Sequence, residues 1–109
     1  MAKILNIVAT ICSPEEELRF NKWYDNVHIP LLMKYQGIKR VTRYRLVGDA
    51  QNATKYLACY EFDDFESAVG MEKSPEFANA MNEMRQSWPN GGFEIKWAGL
   101  YENISLHER

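Results

Sequence analysis

The stretch EELRFNKWYDNVHIPLLMKYQGIKRVTRYRL, residues 16–46, places a helix, a proline and a strand in direct succession. Its first half repeats apolar residues at helical spacing, which predicts an amphipathic helix. Pro30 has no N–H and disfavours helical geometry at the residue before it, so we expect the helix to run to about Val27 and to stop or kink just after His28. A second short helical turn should follow, and Gly37 should open the next strand.

The rest of the chain predicts three more strands and a second helical region. Ser13 and Pro14 with Glu16 form a capping box at the start of the first helix, and Asp63 with Glu66 repeats that pattern later. The elements predicted outside the opening stretch are a strand over residues 3–12, a strand over residues 55–62, a short helix from about Asp64 to Gly70, a helix from Ser74 that ends at Pro89, and a strand from Phe93. The order is strand, helix, strand, strand, helix, strand.

This order predicts an α+β domain of the ferredoxin-like type over residues 1–109, with a βαββαβ chain path. Two helices should cover one face of a four-stranded antiparallel sheet. Every strand nevertheless carries apolar or aromatic side chains on both of its sides, such as Tyr60 against Cys59. Because a large exposed apolar face is a liability in a monomer, we expect a homodimer in which a second copy covers the open face by sheet-on-sheet packing.

Charge and composition argue against several classes of partner. The 109 residues include 13 Lys and Arg against 15 Asp and Glu, a net charge of −2, so no nucleic-acid partner is expected. RNA-recognition motifs share the order of elements, but Leu57 and Cys59 stand where two of their base-stacking aromatics belong. No apolar run could span a bilayer, the start lacks a signal-peptide pattern, and Cys12 is far from Cys59, so we expect a cytoplasmic protein without a membrane partner.

Sequence motifs for metal, nucleophilic or phosphate chemistry are absent. His28 and His107 are far apart and are not accompanied by paired cysteines, so no metal site is predicted. There is no Gly-rich phosphate loop, nucleophile elbow or closely spaced Cys–His pair. Any enzymatic activity should therefore be acid–base chemistry without a cofactor.

His28 is the candidate for that chemistry. It falls at the edge of the apolar stripe of the first helix and beside the predicted break, where its imidazole can reach a gap between helix and sheet. The ordinary pKa of histidine lies near working pH, which suits an acid or a base. The alternative is that His28 only caps the carbonyls loosened by Pro30.

Tyr44 is the predicted partner of His28. On the second strand, the side that carries Ile38 and Leu46 is the more apolar, which predicts that Tyr44 faces the helices and that Arg43 does not. Its hydroxyl would then hydrogen-bond a substrate oxygen beside His28. The alternative is that a buried tyrosine simply reaches a backbone acceptor.

Residues for a small apolar pocket are also predicted. A helical projection places five apolar side chains of the first helix on one stripe: Phe20, Trp23, Tyr24, Val27 and Leu31. Met81 lies on the last helix, and methionine adapts to irregular spaces. Trp23, Tyr24, Leu31 and Met81 are therefore candidates for binding a flat apolar ligand, with ordinary core filling as the alternative.

Residues 16–46 resemble the signature of the EthD-like group in the dimeric α/β-barrel superfamily. In that group a W-x-x-x-x-H-x-P stretch ends the first helix and a Gly-hydrophobic pair starts the next strand. The matching positions are Trp23, His28, Pro30, Leu31, Gly37 and Tyr44. The resemblance implies a dimer whose two sheets close into a barrel, and a pocket in each subunit between sheet and helices that contains the helix-ending histidine.

The superfamily includes polyketide cyclases and dehydratases, muconolactone-type isomerases, cofactor-free monooxygenases and haem-degrading enzymes. Haem-binding relatives place a histidine on the second helix, and residues 63–88 contain none. The resemblance therefore implies a cofactor-independent enzyme for a small apolar oxygenated or aromatic molecule, with His28 as acid or base and Tyr44 or Tyr24 positioning an oxygen. The alternative is a non-catalytic dimeric ligand-binding or stress-response protein. A mostly apolar pocket that reaches His28 and that side chains leave unfilled would favour the enzyme.

Overall fold

The computed structural model describes residues 3–109. The elements in chain order are β1 (Ile4–Cys12), a 3₁₀ turn (Pro14–Glu16), α1 (Glu17–Trp23), a π-helical turn (Tyr24–His28), α2 (Ile29–Leu32), β2 (Ile38–Arg45), β3 (Tyr56–Phe62), α3 (Phe65–Glu72), α4 (Pro75–Ser87) and β4 (Phe93–Glu102). The strands form one antiparallel sheet in the order β2-β3-β1-β4, with the helices packed on one face. The predicted ferredoxin-like fold is confirmed.

The strand register shows which side chains lie on which face of the sheet. Ile7 of β1 pairs with Cys59 of β3, whereas its neighbour Val8 pairs with Ala58 and lies beneath the helices. The predicted division of β1 and β3 into two apolar faces is confirmed. We call the face without helices the open sheet face, and its main apolar side chains are Leu5, Ile7, Ala9, Tyr44, Leu57, Trp97 and Tyr101.

A bulge in β2 reverses the orientation of its later side chains. One extra residue enters β2 between Ile38 and Arg40, relative to β3. Tyr44 therefore pairs with Leu57 on the open sheet face, where it is 56% exposed, and Arg43 faces the helices. The predicted orientation of Tyr44 toward the helices is wrong, because a shift of one residue moves each following side chain to the opposite face.

A second register shift, in β4, places the side chains before and after it on opposite faces of the sheet. It lies opposite Ala9 and Thr10 of β1. Ile95 faces the helices, whereas Trp97 and Tyr101 lie on the open sheet face and are 42% and 51% exposed. A single chain therefore leaves several large apolar side chains of this face in contact with solvent.

Side-chain caps define two of the helix starts. The hydroxyl of Ser74 accepts the N–H of Phe77 at 3.1 Å and caps α4, as predicted. The cap of α3 is Asp64, one residue later than predicted. Ser13 makes no side-chain cap hydrogen bond, so the predicted capping box with Glu16 is wrong. The chain enters the first helical region through a 3₁₀ turn instead.

Replacing Ser74 with alanine is expected to lower the free energy of unfolding by about 1 kcal/mol, because the change leaves an N–H at the start of α4 without its acceptor. Ser13→Ala is the matched control, since this serine precedes a helical turn without capping it. The control should change stability by less than about 0.5 kcal/mol. Denaturant unfolding measures both variants, and equal losses would show that the Ser74 hydroxyl has no specific capping role.

Candidate functional site

The segment Tyr24–His28 forms a π-helical turn in which the N–H of Ile29 donates to the carbonyl of Tyr24. Ile29 keeps helical angles, φ −62° and ψ −46°, although Pro30 follows it. Of the two predicted outcomes after His28, a stop or a kink, the stop is wrong, because the helical path continues into α2, which supplies the predicted second short turn. Pro30 has no N–H to donate to the helix. A wide π turn directly before it, rather than a break, accommodates the proline.

The π turn changes which side chains of the helix face the sheet. A regular helix that buries Tyr24 would next direct Val27 and Leu31 inward, but these two are only half-buried. The extra residue in the turn instead buries His28 and Leu32, which are 5% and 3% exposed. His28 consequently moves from the edge of the predicted apolar stripe into the interior.

A cavity of about 170 Å³ lies between the helices and the sheet. Cavities of about 150 Å³ with aliphatic and aromatic walls hold one benzene molecule, so this cavity has room for about one ring. Its wall is mostly apolar and includes a few polar side chains. The lining residues are Asn6, Val8, Thr10, Trp23, Tyr24, His28, Leu32, Tyr60, Met71, Glu72, Phe77, Met81, Met84, Phe93, Ile95 and Ala98.

Two aromatic rings hold the imidazole of His28 in place. The imidazole stacks on the indole of Trp23, with ring centroids 4.7 Å apart and planes inclined by 24°, and it meets the ring of Tyr24 edge-on at 5.0 Å. Its Nδ1 is buried and has no hydrogen-bond partner among residues 3–109. Nδ1 therefore caps no helix carbonyl, and such an atom is unusual because buried polar atoms are nearly always paired.

Burial lowers the pKa of His28 to about 4, and the nearby carboxylate of Glu83 opposes this shift only in part. That carboxylate is itself engaged, since it accepts the indole N–H of Trp23 at 2.8 Å and the hydroxyl of Ser87. The imidazole is therefore neutral near pH 7. A neutral imidazole has one nitrogen that can accept a proton and one N–H that can donate a hydrogen bond.

A pair of hydrogen-bonded tyrosines contributes to the polar part of the cavity wall. The hydroxyls of Tyr24 and Tyr60 are 2.8 Å apart and hydrogen-bonded to each other. Burial raises the pKa of both hydroxyls, so both are neutral phenols. The guanidinium of Arg43 packs over the ring of Tyr24 at 4.5 Å and donates to Asn21 at 2.8 Å.

Trp23, Tyr24 and Met81, three of the four residues predicted to bind a ligand, line the cavity. Leu31 does not line it but packs half-buried against the core. Leu32 lines the cavity in its place. The reason is the π turn, which advances the inward-facing positions by one residue.

Tyr44, the predicted partner of His28, lies across the sheet from the cavity in the same chain. The tyrosine of the sheet that does line the cavity is Tyr60, which was not among the predicted site residues. The sequence did contain a signal for Tyr60, because strand alternation places Tyr56 and Tyr60 on one side of β3 and Leu57 and Cys59 on the other. Choosing between the two tyrosines required the position of the β2 bulge.

Other types of chemistry find little support in the described part of the chain. Residues 3–109 contain no cluster of three or more His, Cys, Asp or Glu side chains arranged for a metal ion. Within the same range, no helix combines the length and the apolar character needed to cross a membrane. Cys12 and Cys59 are free thiols, and burial raises the pKa of both, which disfavours the nucleophilic thiolate.

The fold and the cavity define the class of protein: a ferredoxin-like α+β protein with a ring-sized cavity between sheet and helices. Residues 3–88 match the family described as a domain of unknown function (DUF4286), and the chain belongs to that family. No curated protein matches the sequence.

Solved structures share this fold along nearly the whole chain. An ethyl tert-butyl ether D (EthD) family protein from Bacillus halodurans is 20% identical, with a TM-score of 0.64 over 97% of this chain and 100% of that one. HapK from Hahella chejuensis is 14% identical, with a TM-score of 0.68 over 100% and 98%. A dimeric protein of unknown function from Bacteroides fragilis is 13% identical, with a TM-score of 0.60 over 93% and 94%. At these identities the similarity shows the fold, and the EthD-like resemblance is confirmed at that level.

Proposed function

We propose that the protein is a small cofactor-independent enzyme that acts on a single-ring, mostly apolar, oxygen-bearing molecule, with His28 as the acid or base. The cavity is the main support, because it has room for about one ring and is bordered by a buried imidazole. The unpaired Nδ1 adds to this support, since a buried nitrogen without a partner calls for an explanation. Unlike the equally unpaired Nε1 of Trp88, it belongs to a residue that lines the cavity.

The chemistry that fits this cavity is proton transfer at carbon. The neutral imidazole of His28 would take a proton from a ring carbon next to a carbonyl, and the electron pair of the C–H bond would move into the carbonyl to form an enolate. The imidazolium would then return the proton to a different carbon or to an oxygen. Because burial gives His28 a pKa of about 4, it is a weak base, and the substrate must have an acidic C–H bond, as unsaturated lactones and conjugated ring ketones do.

The surroundings of His28 suit this task. Stacking on Trp23 fixes the plane of the imidazole, and the hydrogen bond from Trp23 to Glu83 fixes the indole in turn. The carboxylate of Glu83 favours the charged imidazolium, so it would stabilise His28 in the step in which the ring carries the extra proton.

A non-catalytic ligand-binding protein is the second candidate. The observation that favours it is again the pKa of about 4 for His28, which lies further from neutral pH than an efficient acid–base catalyst requires. In this case the cavity would bind its ring without exchanging protons. The two candidates therefore differ in one measurable property, the movement of hydrogen between a bound ring and solvent.

The test is hydrogen–deuterium exchange. Single-ring ketones, phenols and unsaturated lactones are incubated in D₂O with and without the protein, and proton NMR follows deuterium incorporation at each ring position. An enzyme accelerates exchange next to the carbonyl above the buffer rate. A binding protein changes the resonances of the ring on binding but leaves the exchange rate at the buffer value.

We further propose that a second copy of the chain covers the open sheet face, so that the two sheets close into a barrel. Trp97, Tyr101 and Tyr44 are half exposed on this face in the single chain. Sheet-on-sheet packing would remove them from water. One protein with the same fold, that from Bacteroides fragilis, is described as dimeric.

Replacing Trp97 with glutamate is expected to raise the dissociation constant of this dimer at least about 30-fold, since a charge would replace a large aromatic side chain in the interface. Sedimentation equilibrium at micromolar concentrations measures the change. Val47→Glu is the control, because Val47 is 93% exposed and lies two residues after the end of β2, outside the paired strands. A wild-type protein that sediments as a monomer would contradict the proposal.

A further inference from the structure

We infer that Tyr24 and Tyr60 together form the binding site for a hydrogen-bond-accepting oxygen of the ligand, and that the ligand is a single-ring compound with a carbonyl group. The inference rests on the proposed function, because it assigns the substrate class of the same cavity. It also adds Tyr60, a residue of β3, to the site residues that the helical segments contribute.

The number of available hydrogen-bond donors supports this assignment. Two neutral phenols carry two O–H hydrogens, and their mutual hydrogen bond at 2.8 Å uses one of them. Neither hydroxyl has a further hydrogen-bond partner among residues 3–109. One O–H hydrogen therefore remains for an acceptor in the cavity, whichever tyrosine donates to the other.

The charge near the pair favours an acceptor that becomes negative. The guanidinium of Arg43 lies 4.5 Å from the ring centre of Tyr24 and favours negative charge on both tyrosine oxygens. Its ion-pair partner Asp25, at 3.2 Å, opposes this effect at Tyr24 but is the smaller of the two influences. The hydroxyl that donates to the ligand also accepts a hydrogen bond from the other, which strengthens its donation. A carbonyl oxygen that becomes an enolate oxygen matches this environment, and an ammonium group does not.

The oxygen site and the imidazole are close enough to act on one ring. Tyr24 belongs to the hydroxyl pair and its ring also contacts His28, with centroids 5.0 Å apart. Tyr24, Tyr60 and His28 all line the same cavity. A single-ring ligand whose carbonyl oxygen meets the tyrosines would therefore lie in the cavity that His28 also borders, as enolisation at a neighbouring carbon requires.

The test compares two ligands that differ only in the oxygen: acetophenone, and α-methylstyrene, in which a CH₂ group replaces that oxygen. Protein-detected NMR titrations give both dissociation constants for the wild type and for the double variant Tyr24→Phe/Tyr60→Phe. We expect the double variant to bind acetophenone about 3- to 10-fold more weakly, and α-methylstyrene no more weakly. Removing both hydroxyls leaves no buried hydroxyl without a partner, so the double variant should fold.

Tyr56→Phe is the matched control. Tyr56 lies on the same strand and the same side as Tyr60, but its hydroxyl donates to Glu17 and it does not line the cavity. This variant should bind both ligands as the wild type does. If the double variant does not fold, wild-type protein with ¹³Cζ-labelled tyrosine replaces it, and acetophenone should shift the Tyr24 and Tyr60 resonances more than α-methylstyrene does.

The outcomes separate this inference from the proposed function. An unchanged ratio of the two dissociation constants in the double variant, or equal tyrosine shifts with both ligands, overturns the tyrosine assignment while leaving the cavity a ligand site. If neither ligand binds in the cavity of the wild-type protein, the inference and the proposed function both fail.

Discussion

Replacing His28 with leucine is expected to lower the protein-catalysed exchange of ring hydrogens in D₂O by about 10²–10⁴-fold, the usual contribution of one positioned acid–base group. Leucine has no proton-accepting nitrogen, but it keeps an apolar side chain of similar bulk in the buried position between Trp23 and Tyr24. Binding of the ring should therefore change much less than exchange does. Proton NMR on the ring ketones and lactones that bind the wild type measures both quantities.

His107→Leu is the matched control for this experiment, because His107 is the other histidine of the chain and is exposed in its last residues. The His107→Leu variant should catalyse exchange of the ring hydrogens at the wild-type rate. If His28→Leu retains full exchange, His28 is not the acid or base. If the wild type binds ring ketones and lactones but exchanges none of their hydrogens, the non-catalytic alternative replaces the enzyme.

The free energy of unfolding is expected to fall by about 3 kcal/mol through His28 alone as the pH is lowered from about 7.5 to about 4. Burial lowers the pKa of His28 to about 4 in the folded protein, whereas the unfolded chain has the ordinary value near 6.5. Below about pH 6.5 the unfolded state therefore binds a proton that the folded state does not, and stability is lost. Above that pH this contribution is fully present and constant.

Denaturant unfolding at a fixed protein concentration, repeated across this pH range, measures the effect. Comparing wild type with His28→Leu isolates the histidine, because the carboxylates titrate in both proteins. The stability difference between the two should shift in favour of the leucine variant as the pH falls, and His107→Leu should follow the wild type. A difference that stays constant down to pH 4 would show that the imidazole is solvated, and the buried site would then be wrong.

Much of the fold could be predicted because the signals for it are local. The cap of α4 at Ser74 depends on residues within one turn, and the alternation of β1 and β3 depends on the two-residue period of a strand. The order of elements follows from these signals, and it is enough to specify the ferredoxin-like sheet. The apolar character of both sheet faces was also visible, since side-chain alternation needs no knowledge of the partner strands.

The candidate site was predictable only in part. His28, Trp23 and Tyr24 could be selected from the helical pattern and the W-x-x-x-x-H-x-P stretch, and all three line the cavity. Tyr44 and Leu31 do not line the cavity, because each follows an extra residue, in the β2 bulge and in the π turn respectively. In the strand, the extra residue moves each following side chain to the opposite face. In the helix, it shifts the inward-facing positions by one residue. A one-residue irregularity therefore misplaces all the side chains that follow it.

The sequence by itself determined the element order, the antiparallel sheet, the two apolar faces and the presence of a histidine beside a proline on the first helical segment. Only the tertiary structure decided that His28 is buried, that Tyr60 rather than Tyr44 lines the cavity from the sheet, and that this cavity lies between helices and strands. The physical reason is that no local signal in this sequence marks where a bulge or a π turn inserts its extra residue. The position of a bulge or a π turn is selected by the packing energy between segments far apart in the chain, and the local sequence pattern does not report that energy.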